Sequence, residues 1–250
     1  MAATTVPAHV ARPLVPVFET PAIQPSLDRV VVAVPALNEA PYISRVVADV
    51  IHAGFECVVI DDDSTDETSA IARRAGASVV RHSITLGQGG ALQTGIDWAL
   101  ARGADVIVTF DADGQHRAAD IAALLQGLRS QDADFALGSR FLGAAVNMPR
   151  LRRFLLRGAI WFTRFETGMN VTDTHNGLRA MTRRGAMTLA LRQNGMAHAS
   201  EILHEIARSQ LTWVEVPVTI DYSAETLAKG QSGLDFVAIL VDLLMGRLAR

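Results

Sequence analysis

The chain has 250 residues, 49% of them hydrophobic and 20% charged, with a formal net charge of -3. That much apolar material supports a large core and excludes disorder as the overall state, and the near-neutral balance lacks the basic footprint of a nucleic-acid-binding protein. The single cysteine, Cys57, cannot form an internal disulfide, which fits a reducing, cytoplasmic setting.

Residues 1–28 are expected to be a disordered lead, because Pro7, Pro13, Pro16, Pro21 and Pro25 interrupt it and no apolar period repeats. No secretory signal is expected there, and no window of the chain reaches the 18 consecutive apolar residues of a membrane span. From Arg29 the pattern changes. Residues 30–35 are a continuous, mostly β-branched run suited to a strand buried on both faces, and Pro41 stands where a helix can start. A helix over 42–53 then ends at Gly54, a strand covers 56–60, a helix covers 65–75 up to Gly76, and a third strand covers 77–81. A helix over 90–102, a strand over 105–110, a helix over 117–130 and a strand over 134–137 follow.

Strand and helix alternating in this way predict an α/β fold, a Rossmann-like, mostly parallel sheet flanked by helices, forming one domain over residues 29–233. Beyond Gly138 the expected elements are an Arg-rich helix near 151–165, a turn region to Gly177, helices near 184–191 and 200–209, and a strand over 212–220. Residues 234–250 read as a C-terminal amphipathic helix: Phe236, Val237, Ile239, Leu240, Leu243 and Leu244 recur at helical spacing, with Asp235 and Asp242 for the other face. Such a helix packs on the domain, or docks on a membrane surface or a partner. The basic residues are all arginines except Lys229, a bias expected of a GC-rich bacterial genome.

In an open α/β sheet, ligands bind beyond the carboxyl ends of the strands, so the residues after each strand belong to one reading. Here they are strongly acidic: Asn38 and Glu39 after the first strand, Asp61, Asp62 and Asp63 after the second, and Asp111 and Asp113 after the fourth. Carboxylates brought together repel unless a cation or hydrogen-bond donors neutralise them, which points to a divalent metal. Asp111 and Asp113, two residues apart, can hold Mg2+ or Mn2+ and leave positions open for a phosphorylated substrate, with Gln115 as a further oxygen. Two acids in a loop more often face solvent; their place directly after a Val-Ile-Val-Thr-Phe strand reverses that expectation. Ser64 and Thr65 fit the start of a helix with Asp66 and Glu67 in its first turn, but that leaves Asp61 and Asp62 unexplained. Gly87, Gly89 and Gly90 form a loop opening a helix, whose amides can approach phosphate or simply make a turn. It fails as a dinucleotide loop because Leu92 stands where the third glycine belongs.

Several runs, in order, resemble one family: 32–39 (Val-Ala-Val-Pro-Ala-Leu-Asn-Glu), 58–66 (Val-Val-Ile-Asp-Asp-Asp-Ser-Thr-Asp), 110–116 (Phe-Asp-Ala-Asp-Gly-Gln-His), 138–141 (Gly-Ser-Arg-Phe), 173–179 (Asp-Thr-His-Asn-Gly-Leu-Arg) and 214–218 (Val-Glu-Val-Pro-Val). Together they resemble the family 2 glycosyltransferases of the GT-A fold, closest to the branch of dolichyl- and polyprenyl-phosphate sugar transferases. The resemblance implies that Pro35, Asn38, Glu39, Asp61 and Asp62 contact the nucleotide of a nucleotide-diphosphate sugar; Gly87, in the glycine loop, is a further substrate-binding candidate. It implies that Asp111 and Asp113, with Gln115, hold the metal, and that the sugar is transferred with inversion.

Two acceptors fit that donor chemistry. A polyprenyl phosphate is already ionised and needs arginines to clamp it, for which Arg140, Arg152 and Arg179 are the candidates, with Arg150, Arg153 and Arg157 nearby. Lys229, in a loop resembling an acceptor-side loop of this branch, is a further candidate. A sugar hydroxyl of a lipid-linked glycan needs a carboxylate base, for which Asp173 and Glu201 are the candidates. Either acceptor implies cell-envelope polysaccharide synthesis and a protein that visits the inner face of the cytoplasmic membrane, directly or through a small membrane partner. His175 and Asn176 depart from the serine common in relatives. A sugar nucleotidyltransferase is disfavoured because residues 35–39 contain neither glycine nor a basic residue; a catalytically silent nucleotide-sugar-binding module is disfavoured by the intact Asp111 and Asp113.

Overall fold

The computed structural model describes residues 27–193 and 197–222. The expected lead, the C-terminal helix and Lys229 lie outside them. Seven strands form one sheet in the order β3-β2-β1-β4-β6-β5-β7. They are β1 (Val30–Ala36), β2 (Glu56–Asp61), β3 (Ser78–Arg81), β4 (Val106–Thr109), β5 (Phe135–Val146), β6 (Arg179–Thr182) and β7 (Trp213–Asp221). All neighbours run parallel except β6, which is antiparallel to both β4 and β5. The α/β, mostly parallel architecture expected from the alternation is therefore present.

The helices are α1 (Ala40–His52), α2 (Thr68–Arg74), α3 (Gln88–Ala101), α4 (Asp120–Ser130), α5 (Arg150–Thr167), the single turn α6 (Arg183–Ala186) and α7 (His198–Ser209). Every residue of β1 is buried because both of its faces are covered. Val30, Val32 and Val34 meet Ile43, Val46 and Val47 of α1 and the α4 leucines, in one cluster. Val31 and Ala33 belong to a second cluster on the other face, with Leu92 and Ile96 of α3 and Ile202 and Leu203 of α7. A side chain that alternates faces every residue can be apolar throughout only in such a sandwich. Pro41 occupies the first turn of α1, where its missing N–H costs nothing, and Gly54, at φ +90°, turns the chain out of the helix into β2. Gly95 lets α3 sit close on the sheet: a Cβ there would lie 2.8 Å from Ile60 Cδ1 and 2.9 Å from Ala33 Cβ.

Three elements differ from expectation. The fifth strand continues to Val146 instead of ending at Leu137, and a register shift between Ser139 and Ala144 breaks its pairing with β7. Gly138 therefore lies inside a strand, where a Cβ would strike the Leu178 carbonyl, 2.7 Å away. Arg179–Thr182 is a strand, although Arg-Ala-Met-Thr has no β-branched run. Its partners on both sides place it in the sheet. The helix expected over 184–191 closes after one turn, capped by Thr182, which accepts from the Gly185 amide at 3.1 Å.

Candidate active site

A cleft of about 440 Å³ opens over the carboxyl ends of β1, β2 and β4, the edge at which this sheet class binds ligands. Its first wall is the end of β1. Pro35 and Glu39 line the cleft, whereas Asn38 works behind it. At φ +56°, Asn38 donates its amide to Ser64 Oγ at 2.9 Å and accepts from the Thr65 amide at 2.9 Å, tying the loops after β1 and β2 together.

Asp61, the last residue of β2, and Asp62, just past it, have separate duties. Asp61 is fully buried and accepts from the Ser64 amide and the Ser69 hydroxyl. Burial opposes its charge, but those donors prevail and hold its carboxyl below the usual range. Asp61 does not line the cleft. Asp62 does, and its oxygens accept from the Leu86 and Gly87 amides at 2.8 and 2.7 Å and meet His82 Nδ1 at 2.7 Å. Of the two readings left open for the glycine loop, phosphate approach or a plain turn, the Gly87 amide follows the second: with that of Leu86 it is turned inward onto Asp62. The loop is held as a wall of the cleft, and Gly87 contributes surface, not its N–H.

The floor is the loop after β4. Asp111 accepts from Gln88 Nε2 at 3.2 Å, and its other oxygen meets His116 Nε2 at 2.9 Å. His116 is buried edge-on against Phe110. Gly177 packs directly under Asp111, where any Cβ would collide with the carboxylate. Asp113 accepts from the Gln115 amide at 3.0 Å. Burial pushes the Asp113 carboxyl up to about 6, and the Asp111 charge beside it adds to the shift. For Asp111 burial acts in the same direction, but the hydrogen bond and charge of His116 prevail and hold its carboxyl low.

Burial and the neighbouring Asp111 charge both oppose ionisation of Asp113, and a cation bound between the two carboxylates would favour their charged forms. Among the described residues no three His, Cys, Asp or Glu side chains gather to hold a metal. The pair nevertheless fits Mg2+ or Mn2+, which commonly takes one or two carboxylates and completes its shell with waters and substrate phosphate oxygens. Gln115 lines the same cleft.

The opposite wall is basic. Arg140, on β5, donates its amide and Nε to Asp173 at 3.1 and 2.6 Å, Nη2 to the His175 carbonyl at 2.6 Å, and Nη1 to the Tyr222 hydroxyl. Burial opposes its charge, but Asp173 and Tyr222 raise its pKa above the ordinary value. Arg152 projects from α5 into the cleft with its guanidinium 4.8 Å from the Tyr222 ring centre. Arg179 lies beneath the cleft, not in it. Burial lowers its pKa to about 10, and the charges of Asp111 and Asp173 oppose that shift.

Neither expected base is available in this geometry. Asp173 is buried against Arg140 and also receives the His175 amide at 3.3 Å, while its own amide donates to Glu215. Glu201, in the first turn of α7, accepts from the Arg192 and Gln193 amides at about 3 Å and does not line the cleft. Sequence reasoning gave no site role to Gln88 or His116, and noted His175 only as a departure from relatives. His175 lines the cleft with Nδ1 at 2.7 Å from Thr174 Oγ1 and with Nε2 buried and lacking a hydrogen-bond partner among the described residues. Burial lowers its pKa to about 4, so the ring is neutral at pH 7. The one signal for His116 was its place directly after Gln115, in the same loop as both aspartates.

The family model described as Glycosyl transferase family 2 matches residues 31–189. A UDP-N-acetylglucosamine–dolichyl-phosphate N-acetylglucosaminyltransferase of Methanococcus voltae is 29% identical, over 87% of this chain and 95% of its own. A polyprenol monophosphomannose synthase of Mycolicibacterium smegmatis is 31% identical, over 80% of each chain. Among solved structures, glucosyl-3-phosphoglycerate synthase of Mycobacterium tuberculosis, crystallised with Mn2+, UDP and glucosyl-3-phosphoglycerate, matches with a TM-score of 0.64 at 21% identity, over 87% of this chain and 79% of that one. That last likeness is one of fold.

Proposed function

Because the chain belongs to glycosyl transferase family 2, we propose that it moves a sugar from a nucleotide-diphosphate sugar to a polyprenyl phosphate, with inversion at the anomeric carbon. The observation that carries the acceptor is the division of charge in the cleft: carboxylates on the floor, arginines opposite and, among the described residues, no uncommitted carboxylate base on the arginine side. A hydroxyl acceptor must lose its proton to a protein base. A phosphate monoester is largely ionised at neutral pH, since its second pKa is near 6, and brings its own nucleophilic oxygen.

In this reading the ends of β1 and β2 receive the nucleotide, with Pro35, Glu39 and Asp62 as the surface it meets. Asp111 and Asp113, with Gln115, would hold Mg2+ or Mn2+. Bound there, the ion supplies Lewis-acid stabilisation of the negative charge on the departing nucleoside diphosphate. His116 and Gln88 hold Asp111 in place. Arg140, fixed by Asp173 and Tyr222, and Arg152 orient the acceptor phosphate by charge-assisted hydrogen bonds. An acceptor phosphate oxygen forms the new bond to the anomeric carbon, and the bond from that carbon to the diphosphate breaks with its electron pair on the leaving group. The names of the M. voltae and M. smegmatis relatives support this acceptor class. The Mn2+ and UDP in the structural neighbour support the donor class and the ion.

The test incubates the purified chain with Mn2+ or Mg2+ and a panel of UDP-, GDP- and dTDP-sugars, with and without polyprenyl phosphate, and measures nucleoside diphosphate release. Release that requires one donor, the lipid and Asp113, judged by an Asp113→Ala control, is expected. Donor binding without lipid-stimulated turnover would overturn the acceptor, and no binding of any donor would overturn the whole reading.

A further inference from the structure

Helix α5 buries Leu156, Ala159, Ile160 and Thr163 and packs against α7. Its opposite side is unusual for a water-facing surface. Leu151, Phe154, Trp161 and Phe165 are 68%, 74%, 70% and 70% exposed. With Gly158 they follow one another at spacings of three, four, three and four residues, which at 3.6 residues per turn confines them to roughly a quarter of the helix circumference, facing away from the core. Trp161 and Phe165 stack on each other, ring centres 6.1 Å apart. Arg150, Arg153 and Arg157 are exposed along one flank of this stripe, and Arg164 donates to the Val171 carbonyl. Across its length α5 carries five arginines and one acid, Glu166, which faces His204.

We propose that this face of α5 is a bilayer-docking surface, laid in the interface of an anionic membrane with its aromatic rings among the acyl ends and its arginines on headgroup phosphates. Charge selects the occupant. The chain segments outside the described residues cannot match the arginines, since 1–26 carries one Arg and one Glu, and 223–250 carries three acids and three bases. An anionic headgroup layer matches them along the whole helix. The position of the helix gives the docking a consequence: Arg152, on the same helix, reaches into the cleft. Arg152 stands about 140° around the helix from the stripe, so docking α5 would hold the arginine wall of the cleft within about a helix diameter, roughly 10 Å, of the lipid surface, where a lipid-phosphate acceptor resides. This consequence rests on the proposed acceptor; the docking itself does not.

The test needs neither donor nor acceptor, so it stands or falls separately from the transferase reading. The full chain is floated with vesicles of phosphatidylcholine alone or mixed with phosphatidylglycerol, and fluorescence follows Trp161. Binding to the anionic vesicles is expected, weakened by salt, with a blue shift that is lost in Trp161→Phe. Phe154→Ser combined with Phe165→Ser, both at exposed positions, should lower partitioning by about tenfold or more, and Arg153→Gln with Arg157→Gln should abolish the preference for anionic vesicles. Circular dichroism and thermal unfolding of each variant establish that it is folded. Vesicle binding unchanged in folded variants, no vesicle binding at all, or a dimer in solution that the Phe154→Ser, Phe165→Ser variant dissociates would each overturn the proposal.

Discussion

Gly177→Ala tests how tightly the floor of the cleft is built. Gly177 does not have a positive φ, so alanine fits its backbone, and any effect must come from the added methyl. The three atoms nearest that methyl all belong to the carboxylate of Asp111, whose Cγ would lie 2.5 Å from it, inside the distance that real Cβ atoms keep. Asp111 cannot yield freely, because His116 and Gln88 hold its two oxygens at 2.9 and 3.2 Å. Nor can Gly177 retreat freely, since its carbonyl accepts from Thr109 Oγ1 at 2.6 Å. Overpacking of this kind costs about 1–3 kcal/mol of stability, and a carboxylate displaced by roughly 1 Å from its working position costs on the order of 100-fold in turnover. Nucleoside diphosphate release would be measured beside urea unfolding, with Gly158→Ala as the control. A Cβ at Gly158 meets nothing within 4 Å, so that change is expected to leave turnover intact. Turnover of Gly177→Ala within a few-fold of the parent would refute the claim that Asp111 must sit where it does.

Asp173→Asn leaves the Arg140 guanidinium buried without its counter-charge, with the two side chains 5% and 0% exposed. Breaking such a pair costs about 3–5 kcal/mol, readable as a lower urea midpoint; a loss under about 1 kcal/mol would mean that Tyr222 and the His175 carbonyl suffice. Asp134 predicts an acid limit of stability. Burial opposes its charge, but Arg184 at 2.6 and 2.8 Å and Thr182 prevail and hold its carboxyl below the ordinary value. A depressed folded pKa contributes stability above the unfolded value, near 4, that disappears as pH falls through the folded one. Melting temperature followed from pH 7 downward should therefore drop below about pH 4, and the drop should be shallower in Asp134→Asn. Cys57 is buried and its thiol is pushed up to about 12. It should resist a thiol reagent at pH 8 until denaturant is added, and prompt labelling of the folded chain would contradict the β2 assignment.

Much of the site was legible because each motif sits at the end of a strand whose apolar pattern was itself legible. Val30–Val34 read as a doubly covered strand, so Pro35 and Glu39 had to emerge at its carboxyl end. The Val106–Thr109 run did the same for Asp111 and Asp113, which the structure places on the cleft floor. Arg140 read as a phosphate clamp and does line the cleft, but its restraint comes from two distant segments, the Asp173–His175 loop and Tyr222. Asp173 and Glu201 were offered as bases because a sequence shows a carboxylate without its partners. One is spent on an arginine 33 residues away, the other on two backbone amides.

Local pattern determined what is local: which segments are strands, where helices begin and end, and which polar residues follow each strand. Apolar periodicity and turn chemistry act over a few residues, so these features survive without the rest of the chain. The antiparallel β6, the continuation of β5 past a register shift, the inward turn of the Gly87 amides onto Asp62 and the exposure of the α5 aromatic stripe were decided only by the tertiary structure. Each depends on what a distant segment places alongside, and hydrogen bonds, burial and charge pairing are satisfied between neighbours in space, wherever those neighbours stand in the chain.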